Sequence, residues 1–318
     1  MTLISVVVPI YNEEHNIADL YKRLKTVLAS LSGFTSEIIM VDDGSTDASL
    51  EKIKEAAEAD PSVKYISFSR NFGHEPASTA GLDRAQGDCV VLIDADLQDP
   101  PEVIPQMVEK WRQGYHVVYA QRKSRPGESI FKKITSYLFY RIINLFSAHK
   151  FPLDTGDFRL IDRQVLLAFR KMGDYNRMIR GMIAWLGFKQ TGIYYDREER
   201  KKGSTKYNAV KLFWLSLDAL TSFSLIPLRF SMAIGFLVML VSFIFGCIVI
   251  YQKLFGTLRI PGYALQTIST FFLGGIQLFM LGIIGEYLGK VYQQTQGRPL
   301  YVILEEGGFD RQDGNTAI

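Results

Sequence analysis

The last third of the chain contains two long segments without a charged residue, at 230–252 and 260–285. A helix needs about 20 apolar residues to cross about 30 Å of hydrocarbon, and a soluble helix of that length usually carries a polar face. We therefore expect two membrane-spanning helices, at about 230–252 and 264–286, joined as a hairpin by a short link. Two buried helices of a soluble core are the alternative.

The composition of the first 225 residues is typical of a globular domain. The two cysteines, Cys89 and Cys247, form neither a disulfide framework nor a metal-binding spacing, which favours a reducing compartment. Residues 1–9 lack a basic segment and suit a buried strand better than a signal peptide. We therefore expect a multi-pass protein of the cell membrane with its N-terminal domain and both termini cytoplasmic. The net charge of +3 does not favour a nucleic-acid partner.

Strand-like and helix-like segments alternate over the first hundred residues. Strands are predicted at 4–10, 37–41, 63–67 and 88–93, and helices at 14–30, 48–58 and 75–86. This alternation is typical of a doubly wound sheet, in which ligands bind beyond the carboxyl ends of the strands. Polar or acidic residues follow all four strands. Neither a G-x-G-x-x-G after the first strand nor a P-loop motif is present, which disfavours dinucleotide dehydrogenases and P-loop NTPases.

The segment Asp94-Ala95-Asp96-Leu97-Gln98 follows the fourth predicted strand. Side chains two residues apart in an extended segment point the same way. Their carboxylate and amide oxygens suit Mg²⁺ or Mn²⁺ bridged to a diphosphate. An acidic surface turn is the alternative for an isolated pair of aspartates, but the buried strand before this pair favours a metal site.

Three blocks, at 7–13, 41–47 and 94–98, resemble the motifs of family 2 glycosyltransferases with the GT-A fold. Within that family the chain is similar to polyprenyl-phosphate glycosyltransferases, which include relatives of dolichyl-phosphate mannose synthase and bacterial or phage-type bactoprenol glucosyltransferases. The resemblance implies an α/β, Rossmann-like GT-A domain, amphipathic interface helices and a two-helix transmembrane hairpin. The predicted division is a cytoplasmic catalytic domain at 1–210, a juxtamembrane helix at 211–228, the hairpin at 229–292 and a cytoplasmic tail at 293–318.

The resemblance also implies donor and metal contacts. The residues that would bind the nucleotide-sugar are Pro9, Tyr11, Glu13, Val41, Asp43, Asp94, Ala95, Asp96, Gln98, Arg122, Arg200 and Lys206. Asp96 and Gln98 would be direct ligands of Mg²⁺ or Mn²⁺. A solvated basic patch is the alternative for the segment that contains Arg200 and Lys206.

The acceptor side is implied in the same way. Arg122, Lys132 and Ser136 would meet the acceptor phosphate, and Asp157 would join Asp94 and Asp96 in the catalytic centre. Asp157 would either orient the acceptor phosphate or stabilise positive charge that develops on the sugar. A helix N-cap or a loop carboxylate is the alternative reading of Asp157.

The implied reaction is the inverting transfer of a sugar onto polyprenyl phosphate at the cytoplasmic membrane face. UDP-glucose is the favoured donor, and GDP-mannose is an alternative. Amphipathic patterns at 129–147 and 210–223 would lie in the membrane interface or pack as soluble helices. Small residues such as Gly282 and Gly285 allow close helix contacts, within the hairpin or in a homo-oligomer. The rivals are a processive polysaccharide synthase, whose Gln-x-x-Arg-Trp motif is absent, and a non-catalytic membrane scaffold.

Overall fold

The computed structural model describes residues 1–122, 155–175, 177–196, 226–255 and 262–309. The chain divides into two compact units. All the described strands belong to a sheet unit with helices on both faces. The second unit contains two long helices.

One mixed sheet of eight strands organises the sheet unit, in the order β7-β5-β6-β4-β1-β2-β3-β8. The strands are β1 (Thr2–Ile10), β2 (Phe34–Asp42), β3 (Val63–Phe68), β4 (Cys89–Leu92), β5 (Val117–Arg122), β6 (Thr155–Asp162), β7 (Gln190–Tyr195) and β8 (Ile303–Gly307). Its helices are α1 (Ile17–Ala29), α2 (Ser49–Ala59), α3 (His74–Arg84), α4 (Ile104–Arg112), α5 (Arg163–Arg170) and α6 (Ile179–Trp185). The second unit contains α7 (Ile226–Leu254) and α8 (Tyr263–Thr295).

Strand β1 is buried from Ile4 to Ile10 and is almost wholly apolar there, because helices cover both faces of the sheet. Val6 and Val8 belong to a hydrophobic cluster that includes α1, whereas Val7 belongs to a second cluster that includes α3. Successive side chains of a strand point to opposite faces. A strand that is buried on both faces therefore reads as a continuous apolar run.

The first four strands are parallel, as predicted. β1 pairs with β2 and β4, and β2 pairs with β3, so their carboxyl ends meet at one edge. The predicted bounds differ from the observed ones by only a few residues. The rest of the sheet departs from the simple doubly wound pattern, because β6 runs antiparallel between β4 and β5.

Strand β8 was not predicted, since the pattern at 293–318 indicated only a tail. It pairs with β3 in the antiparallel direction. Tyr301, just before β8, stacks on Phe68 with ring centroids 4.9 Å apart. Its hydroxyl donates a hydrogen bond of 3.2 Å to Asp83. The chain therefore returns to the sheet unit after α8.

Helices α7 and α8 cover most of the two predicted spans and contact each other. In the part of the chain that the structure describes, one helical segment, Phe272–Thr295, is long and apolar enough to cross a membrane. The apolar segment of α7, Phe230–Phe245, is shorter than a span. A two-helix transmembrane hairpin is thus not confirmed by length and composition. The amphipathic helices predicted at 129–147 and 210–223 lie outside the described residues.

We expect Gly81→Ala to destabilise the protein, because α3 approaches β1 closely at this glycine. A Cβ atom there would lie 2.2 Å from Cγ1 of Val7 and 3.2 Å from Cγ2 of Val41. Overpacking of this kind costs about 1–3 kcal/mol of unfolding free energy. The melting temperature of the full chain in detergent measures the effect. Gly173→Ala is the control, since a Cβ there meets nothing within 4 Å, and equal losses in both variants would contradict the packing argument.

Candidate active site

The segment after β4 alternates between polar and apolar side chains that differ in exposure. Asp94, Asp96 and Gln98 are partly exposed, whereas Ala95 and Leu97 between them are buried. The polar side chains are therefore the ones open to a ligand. Their predicted contacts with a metal and a donor diphosphate stay predictions.

A tight turn orders the segment from Asp94 to Gln98. The backbone N–H of Gln98 donates a hydrogen bond of 3.1 Å to Oδ1 of Asp96. Leu97 between them has a φ of 58°, a left-handed conformation that is unfavourable for a leucine. Backbone strain of this kind concentrates at functional sites, and here it accompanies the predicted metal-binding segment.

The donor set fits part of a divalent-metal site. Among the described residues no three His, Cys, Asp or Glu side chains cluster as a potential metal site. However, Mg²⁺ is often bound by one or two carboxylates together with substrate phosphates and water. Asp96 and Gln98 supply hard oxygen atoms of the right kind, with a diphosphate needed to complete the coordination shell.

His74 pairs with Asp94 and was not recognised from the sequence. Its Nε2 lies 2.9 Å from Oδ1 of Asp94. Burial acts to lower the pKa of His74, but the hydrogen bond to Asp94 and the nearby acidic charges outweigh it and raise this pKa to about 9. The imidazole is therefore protonated at neutral pH, and it places a positive charge beside the carboxylates at the start of α3.

Asp43 holds the loop that leads to α3. Its carboxylate accepts hydrogen bonds from the backbone N–H of Phe72 at 2.7 Å, from the backbone N–H of Gly73 at 2.9 Å and from the side chain of Asn71 at 2.9 Å. Burial is the main cause that raises the pKa of Asp43. The structure gives Asp43 a role in positioning His74, and its donor contact stays a prediction.

The other predicted donor residues of β1 and β2 differ in exposure. Tyr11 is 42% exposed and Glu13 is partly exposed at the same sheet edge. Pro9 is buried, and Val41 is 0% exposed within the cluster beneath α3. The geometry therefore supports surface contacts by Tyr11 and Glu13, but not by the side chain of Val41.

Asp157 lies inside β6, so the alternative of a helix N-cap is wrong. The N-cap of the next helix is Asp162, whose carboxylate accepts a hydrogen bond of 2.8 Å from the N–H of Gln164. In the β4–β6 ladder Arg159 pairs with Leu92. Asp157 lies two residues before Arg159 on β6, and Asp94 lies two residues after Leu92, the last residue of β4.

Two arginines and a glutamate surround Asp157. Nε of Arg180 lies 3.4 Å from Oδ1 of Asp157, and the guanidinium of Arg159 lies 3.9 Å from the same oxygen. Burial, followed by the charge of Asp157, raises the pKa of Glu75 to about 7. The site thus contains two neighbouring acids that buried or half-buried arginines partly neutralise.

The remaining predicted residues are described less fully. Arg122 is the last residue of β5, as expected of a strand-end arginine, but its side chain is outside the described set. Lys132, Ser136, Arg200 and Lys206 also lie outside the described residues. Their predicted contacts with donor diphosphate or acceptor phosphate stay predictions.

Sequence reasoning missed Glu75 and Arg180 as well as His74. The pair His74-Glu75 follows the polar end of the third strand at the start of a helix, and this position was the available signal. No sequence signal pointed to Arg180, because its contact with Asp157 depends on how α6 packs within the sheet unit.

Comparison with known proteins agrees with this geometry. The model of the family described as glycosyl transferase family 2 matches residues 5–169. An uncharacterised glycosyltransferase of Bacillus subtilis, YkcC, is 46% identical over 97% of this chain and 95% of its own length. A prophage bactoprenol glucosyl transferase homologue of Escherichia coli is 42% identical over 94% of this chain and 98% of its own. The bactoprenol glucosyl transferase of Shigella phage SfV is 41% identical over 95% of this chain and 98% of its own length.

The family match spans β1 to the end of β6 and most of α5, and it includes Asp94, Asp96 and Asp157. The chain is a glycosyltransferase and belongs to glycosyl transferase family 2.

Proposed function

We propose that this chain transfers a sugar, with UDP-glucose as the favoured donor, onto polyprenyl phosphate at the cytoplasmic face of the cell membrane. The observation that carries the proposal is that His74 pairs with Asp94 and is also close enough to Asp157 to feel its charge, so that these two carboxylates lie in one neighbourhood. The two relatives named as bactoprenol glucosyl transferases support the acceptor class, because each similarity extends over nearly the whole chain.

The donor half of the site lies after β4. A divalent metal bound by Asp96, Gln98 and the donor diphosphate would stabilise the negative charge of the departing nucleoside diphosphate. Tyr11 and Glu13 would contact the nucleoside. Arg122, Arg200 and Lys206 would pair with phosphate oxygens.

The acceptor needs little activation. A phosphate monoester has a second pKa of about 6 and is mostly dianionic near neutral pH. One of its oxygens attacks the anomeric carbon, and the bond between that carbon and the diphosphate oxygen breaks, with inversion. Catalysis would then depend on alignment for in-line attack and on electrostatic stabilisation. Asp157 would orient the acceptor phosphate or stabilise positive charge on the sugar.

The helices of the second unit support a membrane location. Apolar side chains on both are exposed to a degree that is unusual for a soluble protein, with Phe236 of α7 at 62% and Leu278 of α8 at 72%. Long helices that expose apolar residues in this way suit a lipid environment. Such an anchor would keep the catalytic site near a lipid-linked acceptor.

Strand β8 supports an even number of membrane crossings. The sheet unit precedes α7 in the chain, and β8 pairs with β3 of the same unit after α8. Strands of one sheet lie on one side of a membrane, so the chain between them crosses either twice or not at all. We propose two crossings, by α7 and α8, with both termini cytoplasmic.

Donor and acceptor are tested together in a transfer assay. We expect the purified chain with Mg²⁺ or Mn²⁺, a short polyprenyl phosphate and labelled nucleotide-sugars to form labelled lipid, fastest from UDP-glucose. Faster transfer from GDP-mannose would replace the donor assignment. No transfer to lipid from any nucleotide-sugar would overturn the proposed function.

Asp96→Asn should weaken metal-dependent donor binding. Because the amide removes one anionic ligand, the affinity for UDP in Mn²⁺ should fall by roughly 10–100-fold, as measured by titration calorimetry. Glu109→Gln, an exposed change on α4, is the matched control. Unchanged UDP affinity in Asp96→Asn would contradict its role as a metal ligand.

Topology is tested by labelling single cysteines in membrane vesicles. Replacing Cys247 by serine leaves only the buried Cys89. Cysteines are then introduced at exposed Glu58 of α2, at exposed Leu304 of β8 and at Thr257 in the link. A membrane-impermeant maleimide should label positions 58 and 304 from one face and position 257 from the other. Labelling of all three from the same face would contradict the hairpin.

A further inference from the structure

The carboxylate of Asp157 is held by a two-point contact that the reaction scheme above does not use. Nε of Arg180 lies 3.4 Å from Oδ1 of Asp157, and Nη2 of Arg180 lies 3.5 Å from Oδ2. The Nη2 contact is a long hydrogen bond, and the Nε contact is an ion pair without hydrogen-bond geometry. Together they restrain the position of the carboxylate. The Asp157 side chain is only 14% exposed, so its orientation is set by the protein more than by water.

Arg159 and Arg180 contact different parts of β6 around Asp157. Its guanidinium is buried, and it donates hydrogen bonds to the backbone carbonyls of Gly156 at 2.8 Å and of Asp157 at 3.2 Å. Arg159 therefore ties down the backbone of β6. Arg180, on the neighbouring helix α6, contacts the side-chain carboxylate and is 33% exposed.

Glu75 connects α6 to the donor half of the site. Its Oε2 accepts a hydrogen bond of 3.0 Å from the backbone N–H of Ile179, the residue just before Arg180. Glu75 is also next to His74, which pairs with Asp94. The start of α3 thus sets the place from which Arg180 reaches Asp157.

Charged side chains near Asp157 come from three elements. Among the described residues they include Arg159 of β6, His74 and Glu75 of α3, and Arg180 of α6. The guanidinium of Arg180 lies closer to the Asp157 carboxylate than that of Arg159 does, at 3.4 Å against 3.9 Å. Arg180 is therefore the better placed of the two arginines to orient this carboxylate.

We propose that Arg180 is a positioning residue for sugar transfer, which holds the carboxylate of Asp157 in place for the reaction. The inference rests on the proposed role of Asp157 and deepens it. Arg180 acts through Asp157 and need not touch either substrate. The site would therefore lose turnover without Arg180 while it keeps its affinity for the donor.

The test compares kcat and UDP affinity in the wild-type chain, Arg180→Gln, Asp157→Asn and the double variant. Loss of the Arg180 contact should lower kcat by roughly 10–100-fold, because the Asp157 carboxylate is no longer held in place. Arg180→Gln should lower kcat no further when Asp157→Asn is already present, because Arg180 acts through Asp157. UDP affinity in Mn²⁺ should stay within about twofold of the wild type, because neither residue belongs to the predicted metal-binding segment.

Arg180→Lys separates charge from geometry. Lysine keeps the cation but lacks the planar guanidinium, so kcat should recover only in part. Arg177→Gln is the matched control. Arg177 precedes α6, donates a hydrogen bond of 2.9 Å to the carbonyl of Met172, and its replacement should leave kcat unchanged.

Failure of the proposed role of Asp157 and failure of the positioning role of Arg180 give different results. If Asp157→Asn keeps full turnover, the proposed role of Asp157 fails, and the inference fails with it. If Asp157→Asn is inactive but Arg180→Gln keeps the wild-type kcat, only the positioning role is overturned. Loss of UDP binding together with a lowered melting temperature in Arg180→Gln would also overturn it, in favour of a purely structural arginine.

Discussion

The burial of β1, β2 and β4 on both faces of the sheet is the constraint on which the site depends. Parallel strands that are covered by helices leave only their ends for polar chemistry. The carboxyl ends of these strands meet at one edge because their pairing is parallel. Asp43 and the segment from Asp94 to Gln98 therefore share a neighbourhood although 50 positions separate them in the chain. Helix α3 packs on the same core at Gly81, and this contact sets where His74 and Glu75 lie.

Charge balance is the second organising feature. His74 neutralises Asp94, and the arginines on β6 and α6 offset Asp157 and Glu75. An unpaired buried carboxylate would become protonated. The arrangement lets acidic residues stay close together at a site where anionic donor and acceptor are expected to meet.

Local patterns predicted the parallel core well. β1 and β4 are recognisable because they are almost wholly apolar runs. Asp94 and Asp96 are recognisable as candidates because they follow such a run, and their binding of metal and donor stays a prediction. Strand β8 was not predicted because its alternating pattern is short and its partner, β3, lies more than 200 positions earlier. Arg180 was missed for a similar reason, since its contact with Asp157 joins two elements through tertiary packing. The side chain of Val41 lies in the core, so the donor contact that its motif suggests would have to come from its backbone.

The acceptor is the part of the proposed reaction on which the structure bears most directly. A phosphate acceptor explains why the site can work without a dedicated general base, and a lipid acceptor explains the exposed apolar helices. The most direct measurement compares a polyprenyl phosphate with the matching dephosphorylated polyprenol under identical donor and metal conditions. The proposed reaction predicts labelled product from the phosphate alone, with the sugar linked through an acid-labile phosphodiester. Equal or faster transfer to the polyprenol, or growth of a polysaccharide without lipid, would contradict it.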